Sequence, residues 1–68
     1  MTNGPYRRLT GILRSNGRSS VLETDDGEIV RLATSDDHTV HDGTRVIVEG
    51  RMSGPDLLKL VWIGSATV

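Results

Sequence analysis

The sequence predicts an all-β fold, a small barrel of five short strands. Three observations carry this. Gly and polar clusters cut the 68 residues into extended pieces of strand length. Many of the aliphatic side chains are β-branched, which favours a pleated backbone. The longest interruption lies between the third and fourth pieces, where there is no alternation at all.

The first strand is Tyr6 to Arg14. Leu9, Gly11 and Leu13 share one face, with Arg8, Thr10, Ile12 and Arg14 on the other. Gly11 marks a bulge or bend where the sheet curls. Ser15-Asn16-Gly17-Arg18 is a turn, since Asn-Gly accepts positive φ cheaply.

The second strand is Ser19 to Thr24 and the third is Glu28 to Ala33, joined at Asp25-Asp26-Gly27. Loop length sets which side chains face inward. A two-residue loop would place Glu23 beside Val21 and Leu32 in the core. A three-residue loop with Gly27 left-handed pairs Leu22 with Val30 and Ser20 with Leu32. It turns Val21, Glu23, Ile29 and Arg31 outward. The second arrangement is preferred, because it keeps the Glu23 charge in water.

Thr34 to Asp42 is expected to be a loop or a short helix, with Ser35-Asp36-Asp37 as a cap and Asp42-Gly43 as a stop. The fourth strand, Thr44 to Met52, points Val46, Val48, Gly50 and Met52 inward. Ser53-Gly54-Pro55-Asp56 is a turn, and the fifth strand is Leu57 to Ile63. Strict alternation sets Trp62 on the core side with Leu58 and Leu60. A bulge in this strand would turn Ile63 inward and Trp62 outward. The shortage of large apolar side chains favours the packed arrangement, and Tyr6 is expected to cover a barrel end.

Three strands, an irregular or helical connection, then two strands is the order of an OB-like barrel. An SH3-like barrel is the alternative. The 10-residue connection decides for the OB-like order. The expected organisation is a flexible N-terminus at 1–5, the barrel at 6–63 and a weakly ordered tail at 64–68.

Several segments also carry a resemblance. They are Leu9-Thr10-Gly11-Ile12-Leu13, Leu22-Glu23-Thr24-Asp25-Asp26-Gly27 with Arg31-Leu32, Gly43-Thr44-Arg45-Val46-Ile47-Val48-Glu49-Gly50, and Asp56-Leu57-Leu58. Together they resemble a family of small bacterial OB-fold-like domains of unknown function, over roughly residues 8–63. The sequence departs from it at Val30, where a Trp is common. The resemblance implies the fold and brings no site residue with it.

Composition excludes several functions. With no Cys, a disulfide framework and a thiolate metal site are impossible. No apolar run is long enough to span a bilayer. No apolar stretch of signal-peptide type follows Met1-Thr2-Asn3-Gly4-Pro5, so a cytoplasmic location is expected. The serines lack a nucleophile context, the carboxylates fall in turns, and the chain is too short to enclose a large pocket. The domain is therefore expected to be non-catalytic and to need no cofactor. His38 and His41, three apart beside Asp36, Asp37 and Asp42, have helical metal-ligand spacing, but nothing fixes their geometry. They are read as a solvated polar loop.

Charge is segregated along the chain. Residues 1–18 hold four Arg and no acid, residues 19–43 one Arg and seven acids, and the net charge is −1. The leading expectation is a small OB-like binding or interaction module for a protein or anionic ligand. Its candidate surface is Arg14, Arg18, Val21, Ile29, Arg31 and Arg51, with Trp62 in reserve. The choice follows the face on which OB-folds generally bind. Single-stranded nucleic acid through the Arg residues is an alternative, limited by having only Tyr6 and Trp62 to stack on. A structural domain that homodimerises through a sheet edge is another.

Overall fold

The computed structural model of the chain describes residues 4–16, 19–34 and 41–66. It contains β1 (Tyr6–Ser15), β2 (Ser20–Thr24), β3 (Ile29–Ala33), β4 (Arg45–Met52) and β5 (Leu57–Ser65). They close in the order β1-β2-β3-β5-β4. All neighbours are antiparallel except β3 and β5, which run parallel. This is a small five-stranded OB-like barrel. Every strand has two neighbours, so pairing through a sheet edge would first have to open the wall.

One long strand closes the wall from both sides. β1 pairs with β4 from Tyr6 to Ile12 and with β2 from Gly11 to Ser15. The switch falls at Gly11. A Cβ there would run into the Glu23 carbonyl, so the strands approach this closely only without a side chain. Beyond the switch, Leu13 N–H donates to Thr44 O and Gly43 N–H to Leu13 O. The chain entering β4 thus continues the pairing that β4 has given up.

The β2–β3 hairpin has the three-residue loop. Leu22 faces Val30 and Ser20 faces Leu32. Thr24 N–H donates to Glu28 O at 2.8 Å, and Gly27 takes a φ of 91°. The Thr24 hydroxyl holds the tip: it donates to Asp26 Oδ1 at 2.5 Å and accepts from Glu28 N–H at 2.9 Å.

The core is Leu9, Leu13, Leu22, Val30, Leu32, Val46, Val48, Met52 and Leu58, with Leu60 and Ile63 packed against it. The polar side chains buried at its margin are Ser15, Ser20 and Thr24, and Ser20 Oγ donates to Ser15 Oγ at 3.1 Å. Alternation in β1 and β4 places the inward residues as the sequence predicts.

The fifth strand departs from its expected pattern. Glu49 faces Trp62, yet the next residue of β4, Gly50, faces Leu60. Val61 is therefore an extra residue in β5, a β-bulge. The bulge reverses the parity of everything after it. Leu58 and Leu60 point inward, Ile63 takes the next inward place opposite Val48, and Trp62 turns outward, 49% exposed. The expectation of a packed Trp62 is thereby corrected. The strand also runs two residues past its expected end, to Ser65. The physical reason is the bend: β5 leaves β3 after Lys59 and must then follow β4 alone. The expected loop or helix at Thr34 to Asp42 falls mainly on 35–40, outside the described residues.

Candidate functional site

The residues singled out from the sequence divide between two sectors of the wall. Arg14, Val21 and Arg31 form one transverse row across β1, β2 and β3, and Leu57 of β5 extends it. Ile29, 54% exposed, lies in the neighbouring row with Glu23 and Ile12. The arginines here are matched by acids. Arg14 Nη2 is 3.7 Å from Glu23 Oε1 and Arg31 Nη2 is 3.3 Å from Asp56 Oδ1. Both pairs are solvated and worth at most about 1 kcal/mol each, but together they leave this sector electrically balanced. Arg18 lies outside the described residues, and so does His38 of the His38–His41 pair.

Arg51 and Trp62 belong to the outer wall of β1, β4 and β5. Register arranges this wall in rows: Tyr6, Arg51 and Lys59; then Arg8, Glu49 and Trp62; then Thr10, Ile47 and Gly64. Tyr6 does not cover a barrel end. It is 47% exposed, and its hydroxyl donates to Glu49 Oε1 at 2.8 Å. Arg8 Nε stands 3.8 Å from the other Glu49 oxygen, and Arg51 Cζ lies 5.5 Å from the Tyr6 ring centroid. The Glu49 carboxylate, by accepting a hydrogen bond from the phenol O–H, holds the Tyr6 pKa above its usual value. Glu49 is thus shared between its neighbours, while Arg51 and Lys59 stay exposed.

Trp62 is seated. A Cβ on Gly64 would lie 2.5 Å from Trp62 Cη2 and 2.7 Å from Cζ2. The six-membered ring therefore covers Gly64, two residues along the same strand, and only a glycine leaves room for it. The other side of the indole is in solvent, and Val61 beside it is 66% exposed. Tyr6, Val61 and Trp62 are three of the exposed large hydrophobic residues, and all stand on this wall.

Two of the shallow surface pockets bear on these sectors. One, of about 320 Å³, is lined by Arg14, Ser15, Asn16, Ser19, Val21 and Asp42. Its floor is tied up, with Ser15 N–H on Asp42 Oδ1 and Ser19 N–H on Asn16 Oδ1, both 2.9 Å. The other, of about 300 Å³, lies by the hairpin tip between Arg7, Arg8 and the acids Asp25, Asp26 and Glu28. There the Thr24 hydroxyl draws the Asp26 pKa down, and Asp25 binds Arg45 Nη2 at 2.5 Å.

Sequence reasoning missed Tyr6, Arg8, Glu49, Lys59 and Gly64 as members of one surface. One signal was present: a glycine two places after a tryptophan, on the same side of a strand, gives a large ring somewhere to lie.

No curated protein and no solved structure matches the chain. A family model does match over residues 10–66, most of the chain, and the protein belongs to that family, described as "Protein of unknown function (DUF5818)".

Proposed function

We propose that the domain is a small non-catalytic binding module that takes an anionic ligand on the outer wall of β1, β4 and β5. One observation carries this reading. Both aromatic residues of the chain stand exposed on that wall among Arg8, Arg51 and Lys59. The only acid in these rows is Glu49, already engaged by Tyr6 and Arg8. Elsewhere Arg14, Arg31 and Arg45 each have an acidic partner. Exposed rings beside surplus cations favour binding; shallow pockets with their polar groups already bonded do not favour catalysis.

The test is an amide chemical-shift titration at low salt with three polyanions: a single-stranded oligodeoxynucleotide, polyglutamate and inorganic polyphosphate. Shifts from at least one of them should cluster on Tyr6, Arg8, Glu49, Arg51, Lys59 and Trp62. Silence with all three removes the proposal. Shifts confined to Arg14, Val21 and Arg31 move the site to the other sector.

A further inference from the structure

We infer that the Trp62 indole, seated on Gly64, is a stacking platform for the bases of single-stranded nucleic acid, with Arg8, Arg51 and Lys59 taking the phosphates. This rests on the anion-binding reading above and narrows it to one ligand class.

The platform is built before any ligand arrives. Ring atoms Cη2 and Cζ2 lie against the backbone of Gly64, so one side of the indole is spent on its seat and the other faces water. A side chain already held in place loses little entropy on binding. The register then puts Arg8 and Glu49 in the ring's own row and Arg51 and Lys59 in the next. Glu49 is drawn into hydrogen bonding with Tyr6 and faces Arg8, so the cations on this wall outnumber the charge opposing them. A flat ring flanked by guanidinium and ammonium groups matches alternating bases and phosphates.

The alternatives fit less well. An acidic peptide would use the cations, but it needs pockets for side chains or an open strand to pair with. The pocket at Arg14 and Asp42 lies in the other sector. The one at the hairpin tip reaches this wall at Arg8 and Thr10 but is rimmed by Asp25, Asp26 and Glu28, which would repel an acidic chain, and the wall is closed. A ligand with charge alone, such as polyphosphate, would leave the seated indole without a partner.

The chain has one Trp, so its fluorescence reports the site directly. The experiment titrates the protein with a 5′-labelled single-stranded oligodeoxythymidylate. Inorganic polyphosphate of the same charge serves as competitor, and the series is repeated across salt. Expected results are quenching of Trp62 by the oligonucleotide and not by polyphosphate. The slope of log K against log salt should be about −2, from three phosphate contacts on a single strand. Trp62→Ala should weaken oligonucleotide binding roughly 5- to 150-fold, as loss of one base stack does. Gly64→Ala, which keeps the indole and every cation, should weaken it as well and leave polyphosphate binding alone. If Gly64→Ala does not fold, Trp62→Leu replaces the flat ring with an apolar side chain and carries the same comparison. Equal binding of oligonucleotide and polyphosphate without quenching would overturn the stacking inference and leave the anion site standing. Absence of binding to either at low salt would sink both.

Discussion

Leu58→Ala should be among the most damaging single substitutions in this domain, and its neighbour Leu57→Ala among the mild ones. Leu58 has no exposed surface. It pairs with strands on both sides, facing Leu32 of β3 across the parallel seam and Met52 of β4 on the other side. It also packs onto Gly50: a Cβ built there would come 3.2 Å from Leu58 Cγ. Truncation would leave a void walled by backbone on two sides, and a closed wall cannot slide inward to fill it. The cost belongs in the upper part of the usual range for buried leucines, about 3–5 kcal/mol. A chain of 68 residues holds a total stability of roughly 3–10 kcal/mol. Leu58→Ala should therefore unfold a large share of the molecules, or lower the urea midpoint by about 1.5–5 M at a slope of roughly 1–2 kcal/mol/M. Leu57, on the outer row with Arg31, should cost about 1 kcal/mol or less. Urea unfolding followed by circular dichroism measures both. If Leu57→Ala proved the costlier of the two, the register of the β3–β5 seam would be off by one residue and the reasoning would fail.

Other expectations follow from single features. Gly27→Ala should cost about 1–2 kcal/mol, because φ of 91° is unfavourable for a residue with a Cβ, while Gly27→Asn should recover part of the loss; thermal melts compare them. Asp26 has a pKa held down chiefly by the Thr24 hydroxyl, so its contribution to stability is present above the ordinary carboxylate pKa of about 3.9 and lost as pH falls through its folded value. Thr24→Val should flatten the stability profile in that acid range, measured by urea midpoints between pH 5 and 2. Tyr6 has the opposite sign. Its raised pKa, caused first by the Glu49 hydrogen bond, contributes stability below about pH 10 that disappears as pH rises through the folded value. It is the only Tyr, so absorbance at 295 nm follows it directly, and Glu49→Gln should move its titration to lower pH.

Most of the fold was legible because alternation and turn chemistry agreed. Leu9, Gly11 and Leu13, and Val46, Val48, Gly50 and Met52, carry their inward parity openly. The β2–β3 register followed from a penalty: one loop length buries Glu23 and the other does not. The site was less legible. Grouping Arg51 and Trp62 with Arg14 and Arg31 required knowing which strands neighbour each other, and the closure of β1 onto β4 is a long-range event that local pattern does not encode. Nor does charge counting show that Arg14 and Arg31 meet Glu23 and Asp56.

The Val61 bulge ties the barrel's closure to its surface. A core of this size fills its last inward place with Ile63 opposite Val48; Trp62 there would need far more room between two strands already in contact. Inserting one residue solves the packing problem and the bending problem together, since the strand must curve as it leaves β3. The consequence outside is obligatory. Parity reverses, so the largest apolar side chain of the chain emerges into water with nothing beneath it but the next outward residue. That residue is Gly64, whose missing side chain lets the indole lie on the strand. A bulge needed only for packing could have left a small or charged residue in the outward place. That it leaves a tryptophan, two residues before a glycine and in the same row as Arg8, is the part that packing does not require.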